Sequence, residues 1–136
     1  MKVAFATEDL THVNAHFGWA KKIAVYEISA DDASLAEVLE FGGELEEDGN
    51  EDKLMPKIEA ITDCAILYVS AIGGSGAARV VARNVHPVRV PETETIANLV
   101  EKLQVVLRGT PPPWLRKAVN KGKERIFDFD NEALHG

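Results

Sequence analysis

A histidine in a short turn is the residue of this 136-residue chain with the clearest capacity for chemistry. His16 belongs to the pentapeptide NAHFG at 14–18, between an apolar run at 2–7 and a β-branched and aromatic run at 22–28. Both runs predict strands, so a sheet would carry the turn. Neutral imidazole is a common ligand for transition metals, and a loop on a rigid sheet can expose it while keeping it oriented. The turn is therefore a candidate metal-binding site.

The same turn also has a purely structural interpretation. In that interpretation His16 satisfies backbone groups within the turn, Phe17 packs into the core and Gly18 supplies a positive φ angle. Trp19 would then be a packed aromatic and not the shield of a bound group. Spacing alone leaves both interpretations open.

A glycine-rich turn, GGSG at 73–76, is the second candidate site. It follows an almost continuously apolar run at 64–72 and opens a helical segment at 77–83. Backbone N–H groups at a helix N-terminus, beyond the carboxyl end of a strand, favour an anion. Glycine also simply permits a tight strand-to-helix connection, and the turn matches neither the Walker nor the dinucleotide-binding pattern.

Three further residues are weaker candidates for metal binding. Cys64 opens an apolar run and reads as a small buried hydrophobe, and one cysteine lacks the several thiolates of a conventional iron-sulfur site. His12 lies in a loop context, which argues against a chelating pair with His16. His86 precedes a proline and reads as a packed residue at a strand start.

Catalytic machinery is not recognisable in the sequence. We find no Gly-x-Ser-x-Gly elbow, no His/Cys arrangement around Cys64 and no carboxylate pair in a recognisable context. A loop histidine and an anion-suited turn without such machinery favour a binder or carrier over an enzyme.

Composition limits the class of protein further. With 22 acidic and 15 basic residues the net charge is −7, which argues against nucleic acid as a partner. The length fits one domain. The chain shows no charged-then-apolar leader and no long apolar run, so we expect a cytoplasmic protein that does not bind membranes.

The pattern of apolar residues predicts an α/β fold. Strands are expected at 3–8, 22–29 and 35–41 as a meander, and the run at 64–72 is expected in the middle of the sheet. Helices are expected at 52–61, 77–83 and 92–107, with a strand at 85–90 that completes a βαβ unit. This α/β domain would span 1–108, followed by a Pro-rich linker and helical tail at 109–136.

Six segments carry a resemblance to a known family: VAFAT at 3–7, NAHFG at 14–18, VY at 25–26, DCAILY at 63–68, IGG at 72–74 and HP at 86–87. With them the chain resembles the nitrogenase cofactor-binding family that includes NifX, NafY and NifY, and the C-terminal part of NifB. The likeness covers residues 2 to 107. The PPPWL segment at 111–115 is most similar to NifX within that family.

The resemblance implies a ribonuclease H-like fold, with a five-stranded mixed sheet built from a three-stranded meander and a βαβ unit, flanked by helices. It implies a non-enzymatic carrier of iron-sulfur precursors of the iron-molybdenum cofactor, such as the NifB product cluster. His16 would be the cluster ligand, and the other cofactor-binding residues would be Asn14, Gly18, Gly74 and Ser75. The implied partners are a cofactor assembly scaffold, a NifB-type protein and an apo-nitrogenase component.

Such a site is physically reasonable because these clusters are anionic. One imidazole bond, with the backbone donors near Gly74 and Ser75 and with Lys21 or Arg79 nearby, would hold a cluster without a cysteine cage. The alternative hypothesis is a protein-interaction module or chaperone for an apo-nitrogenase component. It is motivated by the acidic run at 44–52 and the apolar tail around Trp114 and Phe127.

Overall fold

The computed structural model describes residues 1–41 and 54–120. Within these ranges the strands are β1 (Lys2–Thr7), β2 (Lys22–Ile28), β3 (Ala33–Glu40), β4 (Ile66–Val69) and β5 (His86–Arg89). The helices are α1 (Leu54–Ala60), α2 (Gly74–Ala82), α3 (Ile96–Arg108) and α4 (Pro113–Val119). The acidic run at 44–52 and Phe127 lie outside the described residues.

The strands form one mixed sheet in the order β3-β2-β1-β4-β5. β2 is antiparallel to both of its neighbours, whereas β1, β4 and β5 are parallel. This arrangement confirms the predicted ribonuclease H-like α/β fold, with its meander and its βαβ unit. The expectation that 64–72 forms the middle of the sheet is wrong. The middle strand is β1, because the meander adds two strands on one side and the βαβ unit adds two on the other.

Side chains alternate across the sheet, so each face has its own core. Ala4 and Ala6 of β1 belong to the cluster that includes residues of α1 and α2. Val3 and Phe5 belong to the cluster that includes residues of α3 and α4. This alternation is the period-2 pattern of a strand covered on both sides.

The longest of the described helices begins four residues later than the periodicity predicts. Thr95 is its N-cap, and its Oγ1 accepts a hydrogen bond from the N–H of Asn98 at 3.1 Å. A β-region threonine that satisfies a free helical donor fixes the helix start at Ile96. α3 ends at Arg108, as the following Gly109 predicts.

The last described helix packs on the sheet. Leu115 of α4 is buried in the same cluster as the core-facing residues of α3. The ring of Trp114 stacks on that of His86 at 4.1 Å between centroids. In the described ranges, no helix combines the length and the apolar character that crossing a membrane requires.

Candidate functional site

The main chain around His16 is held against the end of β4. The N–H of Phe17 donates to the carbonyl of Ala71 at 2.9 Å, and the N–H of Ser70 donates to the carbonyl of Ala15 at 3.1 Å. His16 and Ala71 thus form a parallel bridge beyond the end of the strand. The backbone of the turn is fixed while the His16 side chain stays exposed.

This turn lies at a topological switch point of the sheet, where the connections from two neighbouring parallel strands leave toward opposite sides. β1 and β4 are parallel neighbours, but the chain leaves β1 toward β2 on one side and leaves β4 toward β5 on the other. In open α/β sheets, ligands bind in the crevice outside the carboxyl ends of strands at such a point. His16 and the N-terminus of α2 both lie at this crevice.

A cavity of about 470 Å³ occupies the crevice. Its lining residues are His16, Phe17, Gly18, Trp19, Leu54, Ala71, Ile72, Gly73, Ser75 and Gly76. Its volume lies within the range of small-molecule sites, which are mostly apolar with a few placed polar groups. It contains three of the predicted site residues, His16, Gly18 and Ser75, and Gly74 precedes Ser75 in the first turn of α2.

Asn14 is not among the residues that line this cavity. Its side-chain oxygen accepts a hydrogen bond from the N–H of Glu8 at 2.9 Å, which ties the two ends of the loop together. Asn14 lines a smaller depression of about 370 Å³, on which His16 and Trp19 also border, together with Glu8 and Glu92. The two carboxylates disfavour an anion there.

The two aromatic residues of the turn have opposite environments. Phe17 is fully buried, as the structural interpretation predicts. Trp19 is 65% exposed, so its interpretation as a packed residue is wrong. Gly18 does not adopt a positive φ angle, and that expectation is also wrong. The turn is closed instead by a hydrogen bond from the N–H of Trp19 to the carbonyl of His16, at 3.0 Å.

The N-terminus of α2 supplies anion-binding groups beside the cavity. Gly73 is the N-cap and provides no side-chain hydrogen bond, and the first turn contains no acidic residue. The first N–H groups of a helix have no intrahelical partner and carry a partial positive charge. Gly73, Ser75 and Gly76 line the cavity, so these groups are next to His16 in space.

A buried lysine, Lys57, contacts the turn and was not predicted from the sequence. Lys57 of α1 donates from Nζ to the carbonyl oxygens of Phe17 at 3.1 Å and Gly18 at 2.9 Å. The proposed neighbours Lys21 and Arg79 do not line the cavity. One signal was available, because Lys57 lies three residues after Leu54 and four before Ile61, on the apolar stripe of its helix.

Among the described residues that line this cavity, His16 is the one with a side chain that commonly ligates metals. In the part of the chain that the structure describes, no three His, Cys, Asp or Glu side chains are grouped to hold a metal ion. Cys64 is buried, as predicted, and lies at the opposite end of β4, where the next residue, Ala65, pairs with the start of β1. The whole of β4, four residues and about 13 Å long, lies between Cys64 and Ala71.

Comparison with known proteins agrees with this fold. Residues 1–105 match the model of a family described as dinitrogenase iron-molybdenum cofactor. The chain belongs to that family. It is 61% identical over 133 residues to the protein NifX of Herbaspirillum seropedicae, which covers 98% of this chain and 91% of that protein. It is 44% identical over 137 residues to the protein NifX of Azotobacter vinelandii, with coverage of 100% and 86%.

A solved structure supports the fold of this family member. The crystal structure of PH0822 superimposes with a TM-score of 0.58 at 19% sequence identity, covering 77% of this chain and 89% of that one. At this identity the likeness concerns the arrangement of strands and helices alone.

Gly76 forms part of the cavity floor in this family member, and replacing it should narrow the cavity. A Cβ atom at Gly76 would lie 3.3 Å from Ile72 Cγ1, 3.5 Å from Leu54 Cδ1 and 3.6 Å from Phe17 Cδ2. We expect Gly76→Ala to change the free energy of unfolding by less than about 1 kcal/mol, since the helix-propensity gain offsets the crowding. Binding of any ligand that fills the cavity should weaken.

Urea unfolding and ligand titration of the same variant would check this expectation. Gly109→Ala is the matched control, because Gly109 lies at the end of α3 and a Cβ there meets only backbone oxygens at 3.7 Å. Equal ligand affinity in the two variants would contradict the assignment of Gly76 to the cavity floor.

Asp9 stabilises the loop that leads to the turn. Its carboxylate accepts hydrogen bonds from the N–H of His12 at 2.8 Å and of Thr11 at 2.9 Å, and it lies 2.9 Å from the His12 ring. These contacts, with the His12 N–H first, hold the pKa of Asp9 well below its ordinary value of 3.8. The folded state therefore favours the charged carboxylate.

The stability of the protein should decrease at acid pH partly through Asp9. Because its pKa is lower in the folded state, its contribution is complete above 3.8 and is lost as the pH falls toward the folded value. Asp9→Asn keeps an acceptor oxygen but does not titrate. We expect the free energy of unfolding, measured in urea at pH 5, 4 and 3, to fall more steeply for the native chain. An equal decrease in the free energy of unfolding with falling pH for the native chain and for Asp9→Asn would contradict this role of Asp9.

Proposed function

We propose that this protein is a non-enzymatic carrier that binds iron-sulfur precursors of the iron-molybdenum cofactor and transfers them during cofactor assembly. Family membership ties the chain to nitrogen fixation and to the biosynthesis or handling of that cofactor. The observation that carries the finer proposal is His16, an exposed imidazole on a fixed main chain at a cavity of about 470 Å³.

The chemistry of the cavity suits an anionic metal cluster such as the NifB product. The imidazole of His16 supplies a nitrogen ligand for iron. The free N–H groups at the start of α2, around Gly74 and Ser75, are donors for cluster sulfides. Trp19, Leu54 and Ile72 supply an apolar wall for the cargo.

The same site is suited to release. A resident iron-sulfur cluster is usually held by several thiolates, whereas here one imidazole provides the covalent attachment. Most of the iron atoms of the cargo would then stay open to ligands of an acceptor protein. His16 and Trp19 are both exposed, so a partner can reach the cargo without unfolding of the carrier. The partners we propose are a cofactor assembly scaffold, a NifB-type protein and an apo-nitrogenase component.

Anaerobic titration with isolated NifB-product cluster tests the proposal. We expect iron to co-elute with the protein on a sizing column and to move to the assembly scaffold when the two proteins are mixed. Absence of iron from the protein peak would contradict cluster binding. Retention of all iron in the presence of the scaffold would contradict transfer. Copurification with an apo-nitrogenase component independent of any cluster would favour the interaction module instead.

A further inference from the structure

We propose that Lys57 is a positioning residue, whose buried ammonium group fixes the turn that presents His16 and thereby sets the affinity for the cargo. This inference rests on the proposed carrier function and adds a residue to it. Lys57 lies in α1, 40 residues from Phe17 in sequence, and does not line the cavity itself. Its action would pass through the main chain of the turn.

Lys57 is buried and donates two hydrogen bonds to the main chain of the turn. The residue is 5% exposed, and its Nζ donates to the carbonyl oxygens of Phe17 and Gly18 at 3.1 and 2.9 Å. The ring of Phe41 lies 5.6 Å from the same nitrogen, within the range of a cation–π interaction. Hydrogen bonds from a charged donor are about twice as strong as those between neutral groups.

The turn is consequently held from two directions. On the sheet side, the N–H of Phe17 donates to the carbonyl of Ala71. On the helix side, the carbonyl oxygens of Phe17 and Gly18 accept from Lys57. The peptide units that follow His16 are fixed between these contacts, so the main chain sets the direction in which the His16 side chain leaves the turn. The ammonium group also offsets the partial negative charge of two carbonyl oxygens near a site for anionic cargo.

An apolar residue would be the ordinary choice at this position. Lysine is almost never buried unless it is paired, because removing the ammonium group from water is costly. The neighbouring core-facing residues of α1 and the turn after it, Ile58 and Ile61, are indeed aliphatic. A buried lysine with two hydrogen bonds to the His16 turn is therefore more simply explained by the turn than by packing of the helix.

The test compares Lys57→Met, which keeps the length of the side chain without its donors, with Lys57→Arg, which keeps charge and donors. Ile61→Ala is the matched control, because it removes buried volume in the core cluster that contains Phe17 but removes no hydrogen-bond donor to the turn. The first readout is amide hydrogen exchange of Phe17 and Trp19 in the protein without cargo. The second is the affinity for isolated NifB-product cluster.

We expect Lys57→Met to accelerate exchange at both amides by about tenfold and to weaken cluster binding by a similar factor, as loss of hydrogen bonds to a charged group implies. Lys57→Arg should recover most of both effects. Exchange at Phe17 and Trp19 that is no faster in Lys57→Met than in Ile61→Ala would overturn the proposal, since the lysine would then only stabilise the core.

The two readouts keep this inference separate from the carrier function. If the native protein binds no cluster, the carrier function fails while exchange still reports whether Lys57 fixes the turn. If Lys57→Met does not fold, Lys57→Gln takes its place, because it keeps a donor and loses the charge. Faster exchange at the turn in Lys57→Gln than in Ile61→Ala would support the proposal, and equal exchange would overturn it.

Discussion

The His16→Ala variant is expected to lose at least about a hundredfold in affinity for the NifB-product cluster. Four-ligand zinc sites bind with about 10–16 kcal/mol, so one ligand accounts for about 3 kcal/mol, which corresponds to roughly a hundredfold in affinity. Of the described residues that line the cavity, only His16 has a side chain that commonly ligates metals. The N–H groups at the N-terminus of α2 would remain in the variant, but hydrogen bonds from them do not replace the bond between the imidazole and iron.

The folding of this variant should be unaffected, because the His16 side chain is exposed and the turn is held through backbone groups. Its thermal unfolding midpoint is expected to match that of the native chain. His86→Ala is the matched control, since that histidine stacks on Trp114 and does not line the cavity. Cluster binding that is lost equally in both variants would contradict a specific role for His16.

Phe17→Ala should have the largest effect on stability among changes to the turn. Phe17 is fully buried, and removal of a core phenylalanine costs about 3–5 kcal/mol. This is a large fraction of the roughly 5–15 kcal/mol by which a domain is stable. We therefore expect the urea midpoint to fall sharply, and cluster binding to weaken as well because Phe17 forms part of the cavity wall.

Trp19→Ala provides the comparison for this prediction. Trp19 is two residues away and is 65% exposed, so its replacement should change the free energy of unfolding by no more than about 0.5 kcal/mol. Urea unfolding followed by far-ultraviolet circular dichroism measures both variants without relying on tryptophan emission. A greater loss of stability in Trp19→Ala than in Phe17→Ala would contradict the placement of the two rings.

Most elements of the fold were predictable because their signals are local. The three-stranded meander and the βαβ unit follow from apolar runs, turn residues and helical periodicity. The position of β1 in the middle of the sheet was not predictable in this way. It depends on which side of β1 each later strand joins, and that choice is made by pairing between residues such as Phe5 and Tyr68, far apart in sequence.

Each of the two segments that form the site could be predicted from the sequence, but their proximity could not. His16 and the glycine-rich turn are visible in the sequence, but their proximity depends on the bridge between His16 and Ala71. Ala15 and Phe17 point inward and His16 outward, as in a strand. The turn closed by the Trp19 N–H on the His16 carbonyl ends this alternation, and Trp19 is exposed although it lies two residues after Phe17. Lys57 escaped prediction since its partners lie 39 and 40 residues away.

The most direct measurement is nuclear magnetic resonance of the protein labelled with ¹⁵N in its histidine rings, before and after addition of NifB-product cluster. The chain has four histidines, and three of them, His12, His16 and His86, lie in the described residues. We predict that cluster binding shifts or broadens the ring signals of His16 and leaves those of His12 and His86 unchanged. Bound iron with an unchanged His16 signal would contradict the central claim that this imidazole holds the cargo.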